Sequence, residues 1–347
     1  MWLRNCWYVI AWEHEIPERG LFARKVLNEP IVMFRTSNGL VAMEDRCSHR
    51  LAPLSKGYHE GDSVRCGYHG LRFDGSGRCV EAPGCDVIPA RARVRTYPVI
   101  SHNRWIFIWM GDPELADPSL LPDNFSCDHP DWTYIPGYLH YDTPYLLICD
   151  NLLDFSHLSY VHASTLGGAT EIAHAKPEIE EVPNGIRISR FVPNIPPPPF
   201  YRSMQRFDGN IDRWFVYDFL LPGTLLMSSG GRPVGNAPDD MRGGIELHSC
   251  QTLTPETETS THYFFQQSHR SSIKDPAVTQ ALYNGLVRAF EEDRDMITAQ
   301  YEILRDSPDS PMVAMSIDAA LIRFRRLLES RVAVEQQRSV KLEQAAT

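Results

Sequence analysis

Short apolar runs separated by turn residues fill residues 1–115: "PIVMFR", "LVAME", "VRCGYHG", "LRFDGSGRCVE", "VRTYPVI" and "RWIFIWMG", with breaks at Asn38-Gly39, Asp74-Gly75 and Ser76-Gly77. That spacing predicts a small all-β domain. The stretch that follows, "GDPELADPSLLPDNFSCDHPDW", is rich in Pro and Asp, and its X-Pro steps disfavour helix. It is expected to be the linker out of that domain. Beyond it the pattern mixes: helices are expected at 145–162, 276–305 and 316–338, strands at "GIRISRFV", "RWFVYDFLL" and "STHYFFQQS", and a proline run occupies 196–199. The chain therefore reads as α+β, an all-β domain at 1–115 and an α+β domain at 116–347. No internal repeat is visible, and the last ten or so residues, "SVKLEQAAT" included, are expected to fray.

A length of 347 residues suits two domains, each with its own core. The formal net charge of -10 would repel a polyanion across most of the surface, which argues against nucleic acid as a partner. No run approaches the roughly 18 to 20 apolar residues that span a bilayer; the densest pieces are Trp105 to Met110 and Tyr145 to Cys149. The N-terminal "MWLRNCWYVIAWEHEIPE" has acids close behind its apolar stretch and no small-residue cleavage site, so a cytoplasmic location is expected. The 8 cysteines are scattered over a long chain, unlike a small disulfide scaffold. In a reducing compartment, a close Cys/His cluster then points to metal.

Such a cluster lies in "CSHRLAPLSKGYHEGDSVRCGYHG". Cys47, His49, Cys66 and His69 supply two thiolates and two imidazoles, spaced as Cys-x-His and Cys-x-x-His. Two loops of this kind can each give a thiolate to one iron and an imidazole to the other, the arrangement of a Rieske [2Fe–2S] centre. Zinc uses the same ligand types but favours paired Cys-x(2 to 4)-Cys and His-x(3 to 5)-His spacings. The segments "RCSHRLAPLSKG" and "VRCGYHGLRFDGSGRCVEAPG" resemble the two cluster loops of the Rieske family and the strand after them. Respiratory members carry an additional cysteine in each loop, and these loops do not, so the resemblance is to the low-potential type of oxygenases and their ferredoxins. Gly67 stands where the family most often has Pro and is expected to loosen the loop. Cys79 and Cys85 are expected to be packed thiols, since the four ligand positions are already filled.

One small β-domain suffices for the cluster, and more than half of the chain lies beyond it. There, "CDNLLDFSHLSYVHASTLGG" contains Asn151, Asp154, His157 and His162, read as Asp-x2-His-x4-His. Two histidines and a carboxylate on one face of iron(II) leave positions open for dioxygen and substrate. Residues five apart on a straight helix sit about 140° apart, so the helix must bulge or end for the two histidines to converge. The segment Thr165 to Gly168 favours an end soon after His162, and Asp154 is expected on the same side of the helix as His157. In the 276–305 helix, Leu282, Leu286, Ala289, Ile297 and Leu304 each fall within about 40° of Asp293, which sits at the centre of that stripe. A carboxylate on a buried face needs a partner, either an arginine or the iron held by His157 and His162. Glu291 and Asp295 point away and read as solvated acids.

Taken together, "RNCWYVIAWEHEI", "WIFIWMGDP", "DNLLDFSHLSYVHASTLG", "LTPETETSTHYFF" and "FEEDRDMI" resemble the oxygenase component of Rieske non-heme iron oxygenases over essentially the whole chain. Within that family they are most similar to the vanillate O-demethylase, toluenesulfonate methyl-monooxygenase and dicamba demethylase branch. The resemblance implies a Rieske β-domain followed by a helix-grip catalytic domain, assembled as a homotrimer. It implies electrons passing from NADH through a flavin/iron–sulfur reductase or a ferredoxin to the cluster, and from there to a neighbouring subunit's iron across Asp154, which would link His157 to His69 of the partner subunit. Asn151 is left between a group near the iron and a turn cap. The implied reaction is monooxygenation of a small aromatic compound by O2, as oxidative O- or N-demethylation or methyl hydroxylation; ring dihydroxylation and pure electron transfer are the alternatives. The pocket is expected among residues 190–270, with "IPPPPFY", "FVYDFLLPG", His248 and Gln251 as candidates.

Overall fold

In the computed structural model, residues 2–167 and 169–346 are described, and the side chains of the last helix only as far as Arg338. The chain divides into two compact units: residues 2–121 with 254–258, and residues 122–253 with 259–347. The first unit is built from β1 (Trp7–Trp12), β2 (Phe22–Val26), β3 (Glu29–Thr36), β4 (Gly39–Glu44), β5 (Tyr58–Glu60), β6 (Ser63–Arg65), β7 (Arg72–Asp74), β8 (Cys79–Glu81), β9 (Thr96–Tyr97), β10 (Val99–His102) and β11 (Trp105–Trp109). They form three small antiparallel sheets, ordered β1-β11-β10, β2-β3-β4-β9 and β5-β6-β7-β8. β1 and β11 are buried along their whole length and are locked by Trp7 on Trp109 and Trp12 on Trp105, each pair 5.3 Å apart. A second apolar cluster, including Val32, Phe34, Leu54, Val64 and Phe73, packs around Cys47 and Cys66.

The stretch expected to be a linker is more ordered than its prolines suggest. It holds three short 3-10 turns, at Pro113–Leu115, Pro118–Leu120 and Phe125–Cys127. In the first two, an Asp precedes a Pro: Asp112 and Asp117 accept from the backbone N–H groups of Glu114 and Ser119, and the proline starts the turn.

In the second unit, β12 (Trp132–Thr133), β13 (Gly137–Tyr141), β14 (Glu178–Val182), β15 (Gly185–Ile195), β16 (Ile211–Leu220), β17 (Thr224–Pro233), β18 (Ile245–Pro255) and β19 (Thr261–Arg270) make an eight-stranded sheet. Its order runs from β14 through β19, and both β12 and β13 pair with β19. The helices are α1 (Tyr145–Leu153), α2 (Glu171–His174), α3 (Pro199–Arg202), α4 (Pro276–Asp306) and α5 (Ala319–Ala346). Strict alternation along β16 turns Ile211, Phe215, Tyr217 and Phe219 inward. α4 begins at an Asp275 cap with Pro276 at its first position, and it buries Thr279, Leu282, Leu286, Ala289, Phe290, Asp293 and Ile297 against β13, β19 and α1.

Three expectations need correction. The helix expected at 145–162 ends at Leu153, because Asp154 leaves helical geometry and its carboxylate caps a new 3-10 turn, Phe155–Ser159, by accepting from Ser156 N–H. Asp154 and His157 therefore do not share a helix face. Leu304, expected in the α4 stripe, is only partly buried, the buried face ending at Ile297. The tail does not fray in its backbone: α5 runs to Ala346, and only Thr347 lies outside the described residues. No helix among the described residues is long and apolar enough to cross a membrane.

Candidate metal centres

The loops carrying Cys47 and Cys66 share one backbone design. Cys47 N–H donates to Ala52 C=O and Leu51 N–H returns to Cys47 C=O, both at 2.9 Å. In the second loop, Cys66 N–H donates to Leu71 C=O at 2.8 Å and Gly70 N–H to Cys66 C=O at 3.1 Å. The residues at the equivalent bend, Leu51 and Gly70, both take positive φ, +56° and +74°. Glycine does so freely; for leucine it costs about 1–2 kcal/mol. The result is a sorted set of side chains: both cysteines are buried, while His49 and His69 are exposed with their rings 4.8 Å apart.

That sorting fits a cluster with one iron on thiolates and the other on imidazoles. Burial, reinforced by the adjacent Cys66, raises the Cys47 thiol above its ordinary range, so its thiolate needs a cation to hold it. Gly67 is not a loose point: a Cβ there would lie 2.8 Å from Lys56 C=O, and one on Gly57 only 2.0 Å from Arg65 C=O, so two glycines let these backbones close on each other. Cys79 is packed as expected, with its Sγ 3.3 Å from Glu81 C=O. Cys85 is exposed, contrary to expectation, because it lies in the irregular segment after β8.

In the second unit the chain turns sharply around the two histidines. His157 sits in the 3-10 turn, and His162 follows in a loop whose Thr165 and Gly167 N–H groups both donate to His162 C=O at 3.0 Å. A Cβ on Gly167 would lie 1.8 Å from Leu158 C=O, so this return demands glycine. Gly168, expected to help end the helix, lies outside the described residues.

Both imidazoles then face Asp293 on α4. His162 Nε2 is 3.1 Å and His157 Nε2 3.6 Å from its Oδ1, and the three ligand atoms lie within 4.8 Å of one another. Asp293 is 4% exposed, a carboxylate that burial forbids without a partner. The far ring nitrogens are tethered: His157 Nδ1 to Asp154 C=O at 2.5 Å, and His162 Nδ1 to Glu292 Oε2 at 2.8 Å. Tethering at Nδ1 leaves each Nε2 lone pair aimed at the shared point, as metal-ligating histidines require. Burial pushes His157 below its usual pKa, helped by His162. Burial opposes protonation of His162 too, but Asp293 and Glu292 outweigh it and the net shift is upward. The residues fit iron(II) held by two histidines and one carboxylate.

Other expected residues divide. Asn151 donates from Nδ2 to Asp293 Oδ1 at 3.0 Å, which places it beside the iron ligands. The Asp154 carboxylate is engaged by Ser156 N–H and Oγ–H at 2.9 and 2.6 Å, with Arg190 Nη2 at 3.7 Å, and it is the main-chain carbonyl of Asp154 that meets His157. Glu291 and Asp295 are exposed as expected. The cavity over the three ligands has apolar walls that include Leu152, Phe155, Phe200, Phe215, Leu286 and Phe290, with Gln251 among its polar points. His248 is not in that cavity. It lines a groove with Asp123 and Arg187, its ring against Trp132 at 4.4 Å, because it alternates with the cavity residue Leu247 along β18. Of the proline run, none lines the cavity; Phe200 and Tyr201 behind it do. Glu292, and the Thr165 hydroxyl that donates to it at 2.9 Å, were not read as site groups in the sequence. The available signal was the position of Glu292 next to Asp293.

Comparison with known proteins agrees with this geometry. Residues 6–98 match the Rieske [2Fe-2S] domain, and residues 141–334 the vanillate O-demethylase oxygenase C-terminal domain. The chain is 46% identical to the toluene-4-sulfonate monooxygenase system iron-sulfur subunit of Comamonas testosteroni, covering 95% of this chain and 96% of that one. A crystal structure of dicamba monooxygenase bound to dicamba superposes with a TM-score of 0.88 at 31% identity, covering 97% of this chain and 99% of the other. The structure of dicamba monooxygenase with non-heme iron and dicamba gives 0.80 at 30% identity over 97% and 99%.

Proposed function

Because the chain belongs to the Rieske non-heme iron oxygenases of the vanillate O-demethylase type, as the oxygenase component of a monooxygenase system, we propose that it oxidises a methyl, O-methyl or N-alkyl carbon of a small aromatic compound. One observation carries this reading: two imidazole Nε2 atoms and the buried Asp293 carboxylate converge on the wall of an aromatic-lined cavity. When bound, the [2Fe–2S] cluster supplies single electrons and the iron activates dioxygen.

The protein's own residues do the rest. Cys47, His49, Cys66 and His69 hold the cluster; His157, His162 and Asp293 hold the iron, with Asn151 steadying the carboxylate. Asp154 C=O and Glu292 fix the two imidazole planes, so ligand geometry is set before substrate arrives. The apolar walls exclude water and hold one substrate carbon near the iron position. In overall balance, an aryl methyl ether, O2, NADH and a proton give the phenol, formaldehyde, water and NAD+; the hydroxylated carbon is a hemiacetal that sheds formaldehyde.

The relatives' names describe components of multi-component systems, which supports a separate electron donor, a flavin/iron–sulfur reductase or a ferredoxin. Family resemblance supports a cytoplasmic homotrimer, divided functionally at about residue 115. In it the Asp154 carboxylate would bridge His157 to His69 of the partner subunit, and its position directly before the turn that carries His157 supports that role.

The test is a screen of methoxy-, N-methyl- and methyl-substituted aromatics with a matching reductase. Formaldehyde or a hydroxymethyl product in step with NADH consumption is expected. Cis-dihydrodiol products, or reduction of the cluster with no substrate oxidised across the panel, would overturn the reading.

A further inference from the structure

The inner face of β16 is apolar except at one position, where Arg213 stands between Ile211 and Phe215 at 3% exposure. Among the described residues only one other arginine is comparably buried, Arg190, and that one has the Asp154 carboxylate 3.7 Å away. Arg213 has no carboxylate partner among the described residues. Its guanidinium lies against the rings of Tyr201 and Phe215, with centroids 4.9 and 4.5 Å from Cζ. Nη1–H donates to Gly167 C=O at 3.0 Å and Nη2–H to Leu166 C=O at 2.9 Å. The buried Nε–H has no hydrogen-bond partner.

Two neutral carbonyls do not compensate a full positive charge taken out of water, and a buried N–H without an acceptor adds to the cost. A guanidinium in this state is matched by a planar or trigonal anion, whose oxygens pair with its fork. Arg213 lines the same cavity as His157, His162 and Asp293. The aromatic rings beside it would also suit the ring that carries such an anion.

We propose that Arg213 is the anion anchor of this cavity, so that the aromatic substrate bears a carboxylate or a sulfonate, which Arg213 binds while the carbon to be oxidised turns toward Asp293. This rests on the oxygenase reading above for what happens to that carbon, but not for the binding itself. Arg213 also ties down the Leu166–Gly167 loop that follows His162, and a purely structural role of that kind must be told apart from anchoring.

Calorimetric titration of the metal-loaded protein with 4-methylbenzoate, 4-methylbenzenesulfonate and neutral 4-methylbenzamide separates the two. At least one anion is expected to bind about tenfold or more tightly than the amide, and Arg213→Gln to bring that ratio close to one. A structural role would weaken all three probes together and leave the ratio standing, which would overturn the proposal. So would an unaltered protein that binds the amide as tightly as both anions; that comparison decides the matter even if the variant does not fold. Failure of the oxygenase reading looks different: the anion preference is present, yet no methyl-bearing aromatic is oxidised. Oxidation of neutral methoxy aromatics with no anion preference would sink the anchor alone.

Discussion

The proposed [2Fe–2S] site would draw its four side chains from two neighbouring loops of one small unit, each closed by its own pair of backbone hydrogen bonds. The candidate iron site instead joins a turn after α1 to the middle of α4, with strands β14 to β19 lying between them in the chain. The curl of each cluster loop is set within six residues of backbone, while the apolar cluster around Cys47 and Cys66 brings the two loops together. The iron site depends on long-range order: if α4 slid or rotated, Asp293 and Glu292 would leave the histidines together. Both centres nevertheless solve one problem, holding ligand atoms in place before metal arrives, the first by backbone curl and the second by tethering the far imidazole nitrogens.

The largest effect should come from breaking the local site. Cys66→Ser is expected to abolish the cluster's visible absorption and destabilise the unit of residues 2–121, because metal binding and folding are coupled there. Retention of a full Rieske spectrum would show that the ligand set is misread. Next, Asp154→Asn should leave all iron in place but lower turnover by about 100-fold or more, roughly 2.7 kcal/mol of barrier. Normal turnover in that variant would refute the bridge.

Glu292→Gln probes long-range construction more gently. It keeps the size of the side chain and removes the charge that orients His162, so iron affinity should fall about 10–100-fold in a titration of the iron-depleted protein, with the cluster spectrum unchanged. Unaltered affinity would mean the tether is incidental. The smallest change is expected from Leu51→Gly, which gives the first loop the residue type of the second at its positive-φ bend. Relief of about 1–2 kcal/mol of strain is offset by about 0.5–1 kcal/mol of added freedom in the unfolded chain, so unfolding stability should rise by about 1.5 kcal/mol at most. Loss of the cluster in that variant would break the equivalence of the two loops.

The difference in construction also explains what the sequence disclosed. The two matching loops that carry Cys47, His49, Cys66 and His69 were legible because the spacing of those residues marks them. Asp293 was legible because an acid in an apolar helical stripe violates the pattern that buries its neighbours. The end of α1 was not, since "DNLLDFSHL" keeps helical periodicity through Asp154, and only the cap to Ser156 reveals the break. The cavity walls were legible only in part. Gln251 lines the cavity, but His248, an odd number of positions from it on the same strand, faces the other side of the sheet, because side chains alternate along a strand. Glu292 is marked only by its place next to Asp293, and Arg213 by nothing; an outward arginine in a strand would read the same.

Iron analysis of purified Asp293→Ala beside the unaltered protein tests the two-centre account most directly. The unaltered chain should hold the two cluster irons and one more, and the variant should keep the cluster irons with an unchanged Rieske spectrum while losing the third iron and all substrate oxidation. A variant that still holds the third iron, or that still oxidises substrate, would contradict the assignment of Asp293 and with it the site on which the proposed chemistry depends.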